Sequence, residues 1–106
     1  MFGLFNKSSN KVINVNDIDN LIGNINLIDI REPFEYKGGS IKTAKNIPMG
    51  NLLEEPEKYL EKDKEYHILC QSGGRSSRAC SKLSDLGFNV INVAGGVGAY
   101  AGSKRK

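Results

Sequence analysis

Three short runs of strand-forming residues constrain this chain most: Leu27-Ile28-Asp29-Ile30, Tyr66-His67-Ile68-Leu69-Cys70 and Val90-Ile91-Asn92-Val93. Segments with helical spacing lie between them, and this alternation is the pattern of βα units around a mostly parallel sheet flanked by helices on both faces. Weaker runs from Val12 to Val15 and from Ala44 to Ile47 bring the expected strand number to five.

The connecting segments carry their own boundaries. Asn16 or Asp17 is placed to cap a short helix bearing Ile18, Leu21 and Ile22, which Gly23 ends. Pro33 suits the first turn of another helix through Phe34, Glu35 and Tyr36, stopped at Gly38-Gly39. Leu52, Leu53, Tyr59 and Leu60 mark a third segment that Pro56 divides. The strongest helical pattern follows Cys70, where Ala79, Cys80, Leu83 and Leu86 fall at i, i+1, i+4 and i+7 before Gly87. A buried strand therefore runs through a loop directly into a helix N-terminus.

A length of 106 residues fits one domain and leaves no room for a second core. We expect a flexible leader over 1–11, a domain over 12–102 and a solvated basic tail over 103–106, Ser103-Lys104-Arg105-Lys106, which supplies part of the +3 net charge. No basic stripe with interleaved stacking aromatics is present, so nucleic acid is set aside as a partner. Two cysteines do not make the disulfide framework of a small secreted domain. The apolar opening Met1 to Phe5 is cut off by polar Asn6 to Asn10, short of the ~7–15 residues of a signal core, and no run approaches the ~20 residues of a membrane span. A reducing, cytoplasmic setting without a membrane partner is expected, where a thiol stays available.

The chemistry is concentrated in Cys70-Gln71-Ser72-Gly73-Gly74-Arg75-Ser76. A cysteine ends a buried strand, and two glycines let the backbone curl so that successive N–H groups converge into an anion cradle. The following helix, starting near Arg75 or Ser76, adds free N–H donors and the positive end of its dipole. Such surroundings lower a cysteine pKa from ~8.5 to ~3.5–7.5, so a partly exposed thiolate is expected at Cys70. A thiolate among amides can attack a sulfane sulfur, hold it as a persulfide and pass it to a second nucleophile. The amides then act as an oxyanion-type hole for charge on sulfur, with no separate base and no metal or cofactor.

Here the chain resembles the single-domain rhodaneses, a family of thiosulfate or persulfide sulfurtransferases with a parallel-sheet α/β fold. Three blocks carry the resemblance. They are Asp29-Ile30-Arg31-Glu32-Pro33-Phe34-Glu35-Tyr36 with Gly39-Ser40-Ile41 and Ala44-Lys45-Asn46-Ile47-Pro48; the Cys70 to Ser76 loop; and Gly95-Gly96-Val97-Gly98-Ala99-Tyr100. The resemblance implies that Cys70 takes up sulfur, that the backbone of Gln71, Ser72, Gly73, Gly74, Arg75 and Ser76 binds it, and that Arg75 attracts a small anionic donor. It also implies that Asp29, Arg31 and Glu35 brace the site through charged hydrogen bonds, and that the acceptor is cyanide, a thiol or a protein. Ser40 stands where the family usually has His, Thr43 where Gly is frequent and Tyr100 in place of Trp, which puts local packing near the site and donor preference in question.

Other readings of the same residues exist. Cys70 could be an ordinary buried thiol, and Cys80, on the Leu83 stripe, reads as core packing rather than a resolving thiol. Cysteines ten apart do not match the close ligand pairs of zinc sites. His67 precedes Cys70 by three residues on one strand, so it leaves from the opposite face and takes a structural or surface role. Arg75 could pair with a carboxylate, and Gly95-Gly96-x-Gly98 reads as a turn rather than a dinucleotide site. Two rival functions stand beside sulfur transfer. A cysteine-dependent phosphatase or arsenate reductase keeps five residues between Cys and Arg, whereas here Gln71 to Gly74 make four. A non-catalytic rhodanese-like binding or regulatory module is the other.

Overall fold

Apolar residues at successive positions let a strand be covered on both faces, as in parallel sheets. In the computed structural model, which describes residues 11–106, the apolar runs form β1 (Val12–Asn14), β2 (Asn26–Asp29), β3 (Lys45–Asn46), β4 (Glu65–Leu69) and β5 (Asn89–Ala94). They pair in the order β1-β5-β4-β2-β3, every pairing parallel. Alternation along β4 divides the core: Tyr66 and Ile68 join Ile28, Val90, Ala79 and Leu83 on one face, and Leu69 joins Leu27, Val93, Val15 and Ile18 on the other.

The helices are α1 (Pro33–Lys37), α2 (Met49–Glu54), α3 (Pro56–Tyr59), α4 (Gly74–Asp85) and α5 (Gly96–Ala99). Pro33 opens α1 and Pro56 separates α2 from α3, as each ring's fixed φ dictates. From β2 the chain crosses through α1 to the edge strand β3, whereas from β4 it crosses through α4 to β5 on the other side. The connections thus diverge between β2 and β4. In an open α/β sheet the crevice beyond the strand ends at such a divergence is where ligands bind. Asp29 pairs with Leu69 there, one residue before Cys70.

Three expectations are corrected. The helix expected to be capped by Asn16 or Asp17 is two 3-10 turns, Val15–Asp17 and Asp19–Leu21, the first capped by the side chain of Asn14, two residues before Asn16. Val15 and Ile18, both fully buried, are three apart, which suits a three-residue turn. Leu86 is 44% exposed because α4 ends before it, and Phe88 takes the core position instead. The closing basic run is not a free solvated tail. Ser40 and Lys106 exchange backbone hydrogen bonds at 3.2 and 3.1 Å, Lys42 N–H donates to the Lys104 carbonyl at 2.7 Å, and the Arg105 guanidinium donates to the carbonyls of Val97 and Tyr100. Backbone groups of residues 40–42 that no strand satisfies are met by that run. The expected leader lies outside the described residues except for Lys11, whose carbonyl accepts from Asn92 N–H.

Candidate active site

β4 delivers Cys70 to the end of the sheet, and the chain then turns on Gly73, whose φ of +101° is open to glycine at little cost. That turn points two amides inward: Gly73 N–H donates to Cys70 Sγ at 3.1 Å and Ser76 N–H donates at 3.3 Å. α4 begins at Gly74, a residue before the expected start, so both donors sit at its N-terminal end with the positive pole of the dipole.

α5 closes the loop from outside the sheet. Val97 N–H donates to the Cys70 carbonyl and Gly98 N–H to the Gln71 carbonyl, both at 2.9 Å. This approach requires Gly96: a Cβ there would lie 2.5 Å from the Cys70 oxygen and from the Gln71 carbonyl. The clustered glycines after β5 therefore form a turn pressed against the cysteine loop.

The enclosure corrects one expectation, because Cys70 is not partly exposed but has 0% of its surface open. Burial pushes its thiol up. The Ser76 hydroxyl and the amides of Ser76, Gly73 and Ser72 together outweigh that effect, so the pKa lies below the ordinary thiol value. Cys80 shows burial without donors: it is 1% exposed and its thiol is pushed up to about 12. That is a core thiol and a poor nucleophile. His67 is buried on the opposite face from Cys70, as the strand alternation requires, and its Nδ1 has no hydrogen-bond partner.

A ring of charge supports the loop. Arg31 holds both Asp29 oxygens, with Nη2 to Oδ2 at 2.8 Å, and the Ser40 hydroxyl donates to Oδ2 at 2.7 Å. Arg31 Nη1 then donates to Gln71 Oε1 at 3.1 Å, which ties β2 to the cysteine loop. Ser40 therefore fills a buried place against Asp29. Arg75 meets Glu35 at 2.8 and 2.9 Å, so it has the carboxylate partner that its sequence position allowed. The hydrogen bond from Arg75 holds the Glu35 carboxyl at about 2, against the raising effect of burial. Tyr100, in the position of the family's Trp, is buried and donates to Asp19. Thr43 adopts a φ of +71°, the left-handed region that glycine favours.

Two participants escaped sequence reasoning. The Ser76 side chain reaches the sulfur as well as its amide, with the Cys70 thiol donating to Ser76 Oγ at 3.3 Å. Behind it, the Ser76 hydroxyl donates to Asn92 Oδ1. The signal was available: Asn92 is a polar residue in the middle of β5, buried like its apolar neighbours Val90 and Val93.

Known proteins resemble this chain in sequence and in fold. The family model for the rhodanese-like domain matches residues 14–103. The protein named 'Putative sulfurtransferase YtwF' of Bacillus subtilis is 44% identical over 79 residues, covering 74% of this chain and 76% of that one. A sulfurtransferase of Allochromatium vinosum is 40% identical over 76 residues, with 71% and 70% covered. A tRNA uridine(34) hydroxylase of Pelagibacter ubique is 36% identical over 94% of this chain, which spans 32% of that protein. The crystal structure of a rhodanese-related protein from Thermoplasma volcanium superposes with a TM-score of 0.73 at 42% identity, covering 82% of this chain and 86% of that one.

Proposed function

Because the chain belongs to the rhodanese-like domain family, we propose that it is a sulfurtransferase that carries sulfane sulfur as a persulfide on Cys70. The observation that supports this reading most is the pair of amides on Cys70 Sγ, at 3.1 and 3.3 Å. They favour the thiolate, and one bond further out the same dipoles favour a terminal persulfide anion.

The reaction has two displacements. The Cys70 thiolate attacks the outer sulfur of thiosulfate or of a persulfide; the new S–S bond forms as the donor's breaks, and sulfite or a thiolate leaves with the electron pair. Cyanide, a small thiol or a protein thiolate then attacks the outer sulfur of the Cys70 persulfide. The product is thiocyanate or a new persulfide, and the Cys70 thiolate returns. No net proton is needed in either step, so a buried cysteine without a neighbouring base suffices. Ser72, Gly73 and Ser76 supply the cradle in this reading. Gln71 and Gly74 shape the loop, and Arg75 with Glu35, Asp29 and Arg31 keeps it in place. The enclosed sulfur means that a donor enters only when the loop yields. A reducing cytoplasm suits such a thiol, and no described helix is long and apolar enough to cross a membrane.

Intact-mass measurement after thiosulfate treatment tests the reading. Wild type gains one sulfur, which cyanide removes, and Cys70→Ser gains none. No gain in wild type leaves the binding-module reading, and robust hydrolysis of p-nitrophenyl phosphate replaces sulfur transfer with phosphatase chemistry. The four-residue spacing from Cys70 to Arg75, and the engagement of Arg75 by Glu35, argue against the phosphatase.

A further inference from the structure

Ser76 has one hydroxyl proton and three neighbours that compete for it. With Cys70 as a thiol, Sγ–H donates to Ser76 Oγ at 3.3 Å, while the Ser76 hydroxyl lies 2.5 Å from Asn92 Oδ1 and 3.1 Å from the Gly73 carbonyl. The Asn92 amide oxygen therefore faces the hydroxyl as its acceptor. The run of donors is therefore Cys70 to Ser76 to Asn92. Ser76 is fully buried and Asn92 is 8% exposed, so water is a poor substitute at either.

Ionisation breaks this run. When Cys70 releases its proton to water, sulfur only accepts, and the Ser76 oxygen that had accepted from it now faces an anion. The hydroxyl must turn to donate to Sγ. Its oxygen is then set against Asn92 Oδ1, acceptor to acceptor, in a buried place where such a mismatch is unfavourable. Asparagine can relieve this within its own outline, because its carbonyl and NH₂ arms exchange places by rotation about one bond.

We propose that Asn92 is a positioning residue for the sulfur anion: its amide turns over when Cys70 ionises, Nδ2 donates to Ser76 Oγ, and the Ser76 hydroxyl donates to Sγ. The reversal deepens the sulfurtransferase reading and depends on it only for the use made of the thiolate. Other groups around Cys70 are unchanged by exchange at position 92. They are Arg75 and Cys80 on α4, Glu35 on α1 behind Arg75, and the Asp29–Arg31 pair that reaches the loop through Gln71.

The test reads ionisation directly, through the pH dependence of iodoacetamide alkylation at Cys70 mapped by peptide mass. Asn92→Asp keeps the outline but only accepts, so the half-point moves up by about one pH unit, a tenfold loss of thiolate at a given pH. In a Ser76→Ala background the same exchange shifts it far less, because the link is gone. An Asn92→Asp profile that coincides with wild type overturns the proposal, and so does a full shift that persists without the Ser76 hydroxyl, which would be the added charge acting through space. A measurement on wild type covers failure of the variants to fold: the Asn92 side-chain NH₂ resonances move with Cys70 ionisation and stay fixed in Cys70→Ser. Resonances that ignore the ionisation also overturn it. Loss of sulfur loading with these titrations intact would count against the sulfurtransferase reading alone.

Discussion

Arg75 and Glu35 meet end to end, Nη1 on Oε1 at 2.8 Å and Nη2 on Oε2 at 2.9 Å, and in doing so connect the first turn of α4 to α1. Glu35 Oε1 also accepts from Glu32 N–H at 3.0 Å. One carboxylate thus caps its own helix and anchors the cysteine loop.

This pairing sets an acid limb of stability. The Glu35 carboxyl lies at about 2 when folded against an ordinary 4.5, a lowered value, so its contribution is complete above 4.5 and is lost as pH falls toward 2. Glu35→Gln should lower stability at pH 7 by about 1 kcal/mol, as expected for a partly exposed ion pair, and should flatten the loss between those pH values. Urea denaturation at a series of pH values measures both; equal acid slopes in the two proteins would refute the assignment.

Arg31 neutralises a carboxylate with no exposed surface. Arg31→Leu leaves Asp29 charged and buried, at an expected cost of about 3–5 kcal/mol. Asp29→Asn combined with Arg31→Leu should cost less than Arg31→Leu alone, since the stranded charge is gone. Chemical denaturation of the two variants decides the order.

Gly96→Ala places a Cβ 2.5 Å from the Cys70 and Gln71 carbonyls at a φ of +65°. Strain of this kind typically costs about 1–3 kcal/mol. Because α5 must then back away from the loop, sulfur loading should slow more than the stability loss alone explains. Gly50→Ala, where a Cβ meets nothing within 4 Å, is the control expected to leave loading unchanged.

Thr43 holds a left-handed conformation that disfavours a β-branched side chain. Thr43→Gly should raise stability by roughly 0.5–1 kcal/mol, the strain relieved less the greater freedom of an unfolded glycine. Thermal unfolding reads this as a melting point higher by a few degrees.

The three central strands were legible because each declares itself by residue type: Ile28, Ile68 and Val90 stand together as the strand runs require. The cradle was legible too, since glycines between a strand and a helix leave few paths for the backbone. What escaped depended on partners distant in sequence. No local pattern says that Arg75 turns to Glu35, 40 residues earlier, rather than outward. Nor does one say that Ser76 meets Asn92, 16 residues on. Leu86 fits the helical stripe by spacing, but the helix ends first and Phe88 fills its place. The exposure of Cys70 was misjudged for a related reason, since its cover comes from the cluster it shares with Ile28, Ile30, Leu52 and Ala79, most of them distant in sequence.

That cover bears on durability. Peroxide attacks sulfur anions in proportion to their ionised fraction and their accessibility, and progress to sulfinic acid is largely irreversible. The amides and hydroxyl around Cys70 favour the first property, while its resting surface offers none of the second. In the sulfurtransferase reading, oxidants must wait for the same opening that admits a sulfur donor.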